Sequence, residues 1–302
     1  MDEINRGELS ADHYFHIGQA HLVSGKPCQD YAISGLHMGA AYAVIADGCS
    51  TGGNTDVGAR IIALSTAQAI REHHILMLAS QGGVTMGAQE INERQKGVLS
   101  VTRKLLGLEQ SDMLATCLYV YMTPRGGVIN IRGDGVVALK YRTGDIKVFR
   151  MEWGNNMPFY PAYEESQLSS FIAAHGANNE PSLRLECNIY NPDGTLRKGY
   201  CRELSLDSGI AGNTLSIPEK EMDQLEFVAV FSDGVTQIDA VEWSKAVQSF
   251  MRFKNTTGEF AKRRMIRGIK DFQKMGKGPI DDIAYAVVYN NQIQLREDTT
   301  YG

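Results

Sequence analysis

The stretch AVIADGCSTGG, residues 43–53, joins an apolar run to an aspartate and a glycine-rich turn. The run has the composition of a buried strand, and Asp47 stands where that strand should end. Ending a buried strand in a carboxylate costs free energy unless the charge finds a partner. The pattern therefore indicates either an ordinary turn with a polar cap or a strand end that places an acid in a binding site.

Similar arrangements occur elsewhere in the chain. FVAVFSDGV places Asp233 after an apolar run, GPIDDIAYAVVY places Asp281 and Asp282 before one, and GKPCQD ends in Asp30. Carboxylates from distant segments repel each other if they meet without a cation. Oxygen ligands of this kind suit Mg²⁺ and Mn²⁺. The set predicts a divalent-metal site more strongly than it predicts independent turns.

A further acid lies in INIRGDGVVAL, where Gly133-Asp134-Gly135 interrupts a strand-like run. Glycines inside a strand often mark a bulge or a tight bend. The alternative is that Asp134 points at the same metal site, and the residues alone leave both interpretations open.

Length and composition favour one compact domain, here placed at residues 1–302. Within it, residues 153–218 mix Asn, Pro, Tyr and Gly with short polar turns and predict an irregular flap with a few strands. Residues 291–302 form a polar tail.

Charge and cysteine content narrow the function class. A net charge of −5 argues against binding to nucleic acid or to an anionic membrane, and no apolar run is long enough to span a bilayer. The first residues carry no apolar signal segment, and the five cysteines form no CxxC pair. Both features predict a reduced, cytoplasmic protein.

Hydrophobic periodicity predicts the following elements. Strands are expected at 14–23, 31–36, 40–46, 114–122, 127–142, 145–151, 226–231 and 283–289, and helices at 56–79, 86–106, 239–253 and 257–274. Because the strands cluster in hairpins and the helices come in pairs, the pattern favours α+β layers over a βαβ sheet.

Other candidate features carry weaker signals. The basic stretch that begins at Lys262-Arg263-Arg264 is typical of a solvated helix face, and His73 and His74 lack a third ligand and predict packing or surface positions. No GxSxG, P-loop or HExxH motif occurs. Hydrolysis without a protein nucleophile requires a metal-activated water.

Six segments, in chain order, resemble the motifs of the metal-dependent type 2C Ser/Thr protein phosphatases in their bacterial form. These segments are GKPCQD, AVIADG, LATCLYV, IRGDGVVAL, FVAVFSDGV and GPIDDIAYAVV. The resemblance covers nearly the whole chain. It implies a four-layer αββα sandwich of two antiparallel sheets flanked by helix pairs, with 153–218 at the family's variable flap.

The resemblance also implies roles for individual residues. Asp47 would bridge two Mn²⁺ or Mg²⁺ ions, and the carbonyl of Gly48 would be a ligand. Asp233 and Asp281 would bind the second ion, and Asp30 would act through metal-bound water. Asp30, Asp47 and Asp233 are thus the expected catalytic residues.

A third, weaker metal would be held by Asp134 together with Asp233. The family's phosphate-binding arginine is absent from the opening motif, where Lys26 is the nearest basic residue and is expected to bind the substrate phosphate. Cys49 stands where the eukaryotic branch has histidine, and Asp282 replaces asparagine.

The implied activity is two-metal hydrolysis of phosphoserine and phosphothreonine in a protein substrate, opposite a Ser/Thr kinase in signalling. Two alternatives stay open. One is a phosphatase-like binding module without turnover, which the complete set of acids disfavours. The other is a hydrolase of small phosphate esters, which the sequence does not separate from the first.

Overall fold

The computed structural model describes residues 9–79, 87–163, 165–176 and 183–291. In chain order, strands β1 to β12 are Leu9–His16, Asp30–His37, Ala40–Asp47, Cys117–Thr123, Gly126–Arg132, Gly135–Tyr141, Ile146–Trp153, Leu183–Tyr190, Leu196–Glu203, Asn213–Ile217, Leu225–Phe231 and Ile283–Asn290. Helices α1 to α8 are Gln19–Ser24, Thr55–Ala79, Ala88–Leu106, Glu165–Gly176, Leu206–Ala211, Glu219–Met222, Trp243–Phe250 and Phe260–Lys274. Of the predicted tail, all but Asn291 lies outside the described residues.

The strands form two antiparallel sheets. One has seven strands in the order β1-β12-β11-β6-β7-β8-β9, and the other has five in the order β10-β5-β4-β3-β2. The apolar runs that end or begin at the candidate acids provide the central strands β3, β11 and β12. Central strands are covered on both faces, which explains why these runs are apolar at every position.

Alternation along the strands divides their side chains between separate cores. Along β3, Ala41, Ala43 and Ile45 belong to the core between the sheets, and Tyr42, Val44 and Ala46 belong to the core beneath α2 and α3. Along β12, Ala284, Ala286 and Val288 face the core between the sheets, and Ile283, Tyr285 and Val287 face α7 and α8. The layers are therefore helix, sheet, sheet, helix, and the predicted α+β sandwich is confirmed.

The outer helices are fixed by large buried side chains. Phe250 of α7 is fully buried against Phe231 and Tyr285 of the seven-stranded sheet. Truncating a buried phenylalanine typically costs about 3–5 kcal/mol. Helices α7 and α8 are both shorter than the helices predicted at 239–253 and 257–274. The Glu242 side chain caps α7 by accepting from the backbone N–H groups of Ser244 and Lys245.

The predicted strand at 14–23 is wrong in its second half, because β1 ends at His16 and α1 follows. The backbone N–H of Gln19 donates to the carbonyl of Pro279, and that of Ala20 donates to Ile280. These contacts with a distant segment start a helix, which buries His21 and leaves Leu22 and Val23 exposed.

The predicted single strand at 127–142 is also wrong. The chain leaves the five-stranded sheet at the end of β5 and enters the seven-stranded sheet at β6, with Asp134 at the crossing. Gly133 and Gly135 adopt φ values of +104° and +135°, a region that side chains with a Cβ rarely occupy. The two glycines therefore make a change of sheet, not a bulge within one strand.

Residues 153–218 contain more regular structure than predicted. In their described part, β8 and β9 extend the seven-stranded sheet and β10 pairs with β5. Helix α4 precedes β8, and α5 lies between β9 and β10 in the chain. Polar residues hid β9 from the sequence pattern because this edge strand is exposed along its whole length. None of the helices among the described residues is both long enough and apolar enough to cross a membrane.

Candidate metal centre and active site

The structure brings every predicted metal ligand to one cavity of about 130 Å³. The acids reach it from strand ends: Asp30 begins β2, Asp47 ends β3, Asp134 lies between β5 and β6, Asp233 follows β11 and Asp281 precedes β12. Gly48 lines the same cavity. Strands from both sheets thus end at one place, with segments more than 200 residues apart in sequence side by side.

Asp30 and Asp47 form the centre of this cluster. Burial raises the pKa of Asp30 well above its usual range, although the Ser232 hydroxyl donates a 2.6 Å hydrogen bond to its carboxylate. Burial also raises the pKa of Asp47 far above the usual range, and repulsion from Asp30 and Asp233 adds to the effect. Both carboxylates are costly to ionise without a cation.

The outer acids show the same pattern. Burial, with repulsion from Asp233, raises the pKa of Asp134 to about 8. Burial raises the pKa of Asp281, partly offset by a hydrogen bond from the backbone of Asp282. The Gln237 amide lies 3.2 Å from the carboxylate of Asp233 and 3.4 Å from that of Asp281, so it links these two acids.

The donor set fits hard divalent cations. Among the described residues that line the cavity, six are aspartates, one is a histidine, and none is a lysine or arginine. Clustered carboxylate oxygens are the ligands that Mg²⁺ and Mn²⁺ prefer. A bound cation would also remove the repulsion that raises the pKa values of these acids.

The adjacent acids Asp281 and Asp282 have different environments. Both carboxylate oxygens of Asp282 accept hydrogen bonds, from the backbone N–H of Gly18 at 2.7 Å and from that of Gln29 at 2.6 Å. The same carboxylate lies 2.7 Å from Nδ1 of His21. Asp282 therefore ties α1 and the start of β2 to its own segment. Asp281 accepts from the backbone N–H of Asp282 at 2.8 Å and lies 3.4 Å from the Gln237 amide, so its carboxylate is the less tightly held of the pair.

The sequence model of the family described as Protein phosphatase 2C matches residues 17–267. The chain belongs to the protein phosphatase 2C family. The resemblance that the six segments carry is confirmed. No curated protein sequence matches the chain.

Solved structures of phosphatases share this fold of the protein phosphatase 2C family. A serine/threonine phosphatase from Staphylococcus aureus has 12% identity and a TM-score of 0.51, with 96% of this chain and 98% of that one covered. An arginine-to-lysine variant of a bacterial serine phosphatase has 11% identity and a TM-score of 0.53, with 94% and 98% covered. At these identities the likeness establishes the fold alone.

His21 and Tyr160 line the cavity of this protein phosphatase 2C member but were not found from the sequence. His21 was placed on a strand, and Tyr160 lay in the segment predicted as an irregular flap. No spacing links either residue to the acids. One signal that could have found His21 was Asp282, which replaces the family's asparagine. An additional buried charge requires a partner, and here the partner is His21.

Lys26 lies at the mouth of the cavity and does not line it. Its side chain is exposed, and its ammonium group lies 3.3 Å from the carbonyl oxygen of Ser50, which does line the cavity. A flexible side chain at this place can reach an incoming phosphate. Its role in phosphate binding stays a prediction.

Cys49 occupies the turn beside Gly48, with its sulfur 3.2 Å from the hydroxyl of Thr51. Burial acts to raise the pKa of the thiol, but hydrogen bonds from Thr51 and Tyr160 outweigh it and hold the pKa below its usual value. This environment favours a thiolate over a proton donor.

The weaker candidates lie outside the cavity. His73 and His74 are buried on α2 near Tyr121, which agrees with the predicted packing role. The basic residues of α8 except Lys262 line a separate groove of about 530 Å³, bordered by Arg252 and Lys254. None of the six cavity aspartates is part of that groove.

Proposed function

We propose that this protein is a metal-dependent phosphatase of phosphoserine and phosphothreonine in proteins. The observation that carries the proposal is the convergence of five separately encoded acids on one buried cavity. Membership of the protein phosphatase 2C family supports the same reaction class.

The residues have distinct roles in this proposal. Asp47, the Gly48 carbonyl, Asp233 and Asp281 would hold two Mn²⁺ or Mg²⁺ ions, and Asp134 with Asp233 would hold a weaker third. Bound there, such ions supply Lewis acidity and a water acidic enough to act as hydroxide near neutral pH.

The chain's other groups would prepare the site for substrate. Ser232 fixes the orientation of Asp30 through its hydrogen bond, so Asp30 can accept a hydrogen bond from a bound water at a defined position. Lys26 would attract the phosphate at the mouth of the cavity. Asp30 and Asp134 are buried, and electrostatic interactions at such positions are stronger than in bulk water.

The size of the cavity favours proteins over metabolites as substrates. Sites that enclose small molecules typically measure about 300–1,000 Å³. This cavity of about 130 Å³ and a second one of about 190 Å³, which shares Asp134, Asn156 and Asp233 with it, can admit a phosphoryl group and the side chain that carries it while the rest of a protein substrate stays outside. A phosphorylated side chain of a protein, the product of a Ser/Thr kinase, fits that arrangement.

The competing function is a binding module that has lost turnover. Loss of a ligand would favour that alternative, but every expected acid is present and lines the cavity. The presence of all of them supports an enzyme.

The decisive experiment is hydrolysis of a phosphothreonine peptide with Mn²⁺ and with a chelator. We expect phosphate release with Mn²⁺ and none with the chelator. Asp207→Asn, which alters an exposed acid on α5, is the matched control for Asp47→Asn. Equal activity in chelator, or no hydrolysis of the peptide by the Mn²⁺-loaded protein, would reject the proposal.

A further inference from the structure

We propose that His21 supplies a nitrogen ligand to the cation held by Asp281. The inference rests on the proposed metal centre and adds to it a donor that the carboxylate set lacks. It follows from three observations on the position, the orientation and the unused nitrogen of this side chain.

The position of His21 is next to the acids. Its side chain is buried and lines the cavity, and it is the one side chain with a basic nitrogen among the described residues of the lining. A ring nitrogen of His21, a carboxylate oxygen of Asp281 and one of Asp282 all lie within 4.8 Å of one another. Nδ1, at 2.7 Å from Asp282, satisfies this spacing, so it places the ring beside both acids, and the hydrogen bonds of the ring identify the donor nitrogen.

The orientation of the ring is set by Asp282. Nδ1 of His21 lies 2.7 Å from this carboxylate, which the backbone N–H groups of Gly18 and Gln29 hold in place. Because the carboxylate accepts, Nδ1 carries a proton, and Nε2 is the nitrogen of the ring that can offer its lone pair to a metal. A histidine that donates its other N–H to a carboxylate is the usual arrangement of a histidine that binds a metal.

The second nitrogen is free, and the helix that carries it is fixed. In the part of the chain that the structure describes, Nε2 of His21 has no hydrogen-bond partner. The first turn of α1 is bonded to the carbonyls of Pro279 and Ile280, directly before Asp281. The imidazole and the Asp281 carboxylate are therefore held by one rigid junction, as a shared ligand pair requires.

A nitrogen donor changes the choice of metal. A site made of carboxylates alone suits Mg²⁺, whereas an imidazole ligand favours transition metals. Mn²⁺ is the first and weakest binder in the series of divalent first-row transition metals. The site should therefore prefer Mn²⁺ to Mg²⁺ more strongly than carboxylate ligands alone would allow.

The direct test is pulsed electron paramagnetic resonance on the full-length protein loaded with Mn²⁺, from low occupancy to saturation. A bound imidazole gives ¹⁴N hyperfine coupling to the manganese. We expect this coupling in the wild type, its loss in His21→Ala, and its retention in the control His37→Ala, which changes a histidine at the far end of β2. Absence of the coupling from the Mn²⁺-saturated wild type would overturn the proposal, and that result needs no variant to fold.

Titration calorimetry supplies a second readout. His21→Ala should weaken Mn²⁺ binding by at least about 10–100-fold and Mg²⁺ binding much less. Asp282→Asn should keep the nitrogen coupling and weaken Mn²⁺ binding by about tenfold, because the ring loses its charged support. Equal losses for both metals in His21→Ala would contradict a nitrogen ligand.

These readouts separate the ligand from the enzymatic function. Nitrogen coupling in a protein that hydrolyses no phosphopeptide would retain the ligand and reject the phosphatase. Hydrolysis without nitrogen coupling would reject the ligand and retain the phosphatase.

Discussion

Asp30 and Asp47 are direct cross-strand partners in the antiparallel pair of β2 and β3. Like charges in directly opposed positions destabilise a sheet, and burial of this pair increases the penalty. The fold tolerates the pair because the Ser232 hydroxyl bonds to Asp30 and because the neutral acids persist at higher pH than usual. The metal-free protein is therefore destabilised by the buried acids of the candidate metal centre.

The first prediction concerns the pH dependence of stability without metal. The pKa of Asp134 is about 8 in the folded protein, against about 4 in an unfolded chain. Because the pKa of Asp134 is raised in the folded protein, protonation of this acid favours folding. Its contribution to the free energy of unfolding is complete below about pH 4 and is lost as pH rises toward 8. We expect the Tm in chelator to fall between pH 5 and 8.

Saturating Mn²⁺ should raise that Tm and reduce the decline, because the ion binds the ionised acids of the folded state. Thermal unfolding by circular dichroism at several pH values measures both curves. A Tm in chelator that rises steadily from pH 5 to 8 would contradict the proposed burial of these acids.

Asp47→Asn and Asp233→Asn test the core metal ligands. Each should slow hydrolysis by two to three decades, about 3–4 kcal/mol in the activation free energy, because a neutral amide binds a divalent ion poorly. In chelator at pH 8, Asp47→Asn should unfold at a higher temperature than the wild type, since it removes repulsion with Asp30. Opposite effects on activity and on metal-free stability distinguish a ligand from a structural residue.

Asp134→Ala tests the third metal. Because Asp134 sits at the crossing between the sheets, outside the Asp30 and Asp47 pair, we expect two ions to remain bound in a crystal of the variant. Turnover should slow, and the Mn²⁺ concentration for half-maximal rate should rise. Kinetics identical to the wild type would mean that Asp134 binds no metal and has only a structural role in the turn between β5 and β6.

Lys26 should bind the substrate phosphate from the mouth of the cavity. Lys26→Ala should raise KM more than it lowers kcat, and Lys26→Arg should retain binding through a planar donor group. Arg132 is buried, and its guanidinium donates a hydrogen bond to the side chain of Gln95. It therefore cannot easily replace Lys26 as the group that binds phosphate. Steady-state kinetics on phosphopeptides decide this, and an unchanged KM in the alanine variant would remove Lys26 from the site.

Cys49 should contribute little as a proton donor, because its hydrogen bonds favour the thiolate. Cys49→Ala should leave hydrolysis of an aryl phosphate nearly unchanged, since that leaving group departs without a proton. Cys49→His should raise the rate on phosphopeptides, because their alkoxide leaving group needs a proton and a positioned acid can contribute about 10²-fold or more. The gain on aryl phosphates should be smaller. Loss of most activity in Cys49→Ala would instead assign the thiol a direct role.

The sequence by itself determined the layers and most of the acids. The apolar runs before Asp47 and Asp233 and after Asp281 are buried on both faces, and such runs are typical of central strands. The sequence also predicted the helix pairs, because the helical spacing of apolar residues is a local pattern that extends over only a few turns.

Tertiary structure alone decided how those elements meet. It ended β1 at His16 and opened a helix, because backbone bonds from Gln19 and Ala20 reach a segment some 260 residues away. It also placed His21 beside Asp282, where one buried hydrogen bond orients a residue that local pattern had placed on a strand. Such pairings depend on the packing of distant segments, and no periodicity in either segment records them.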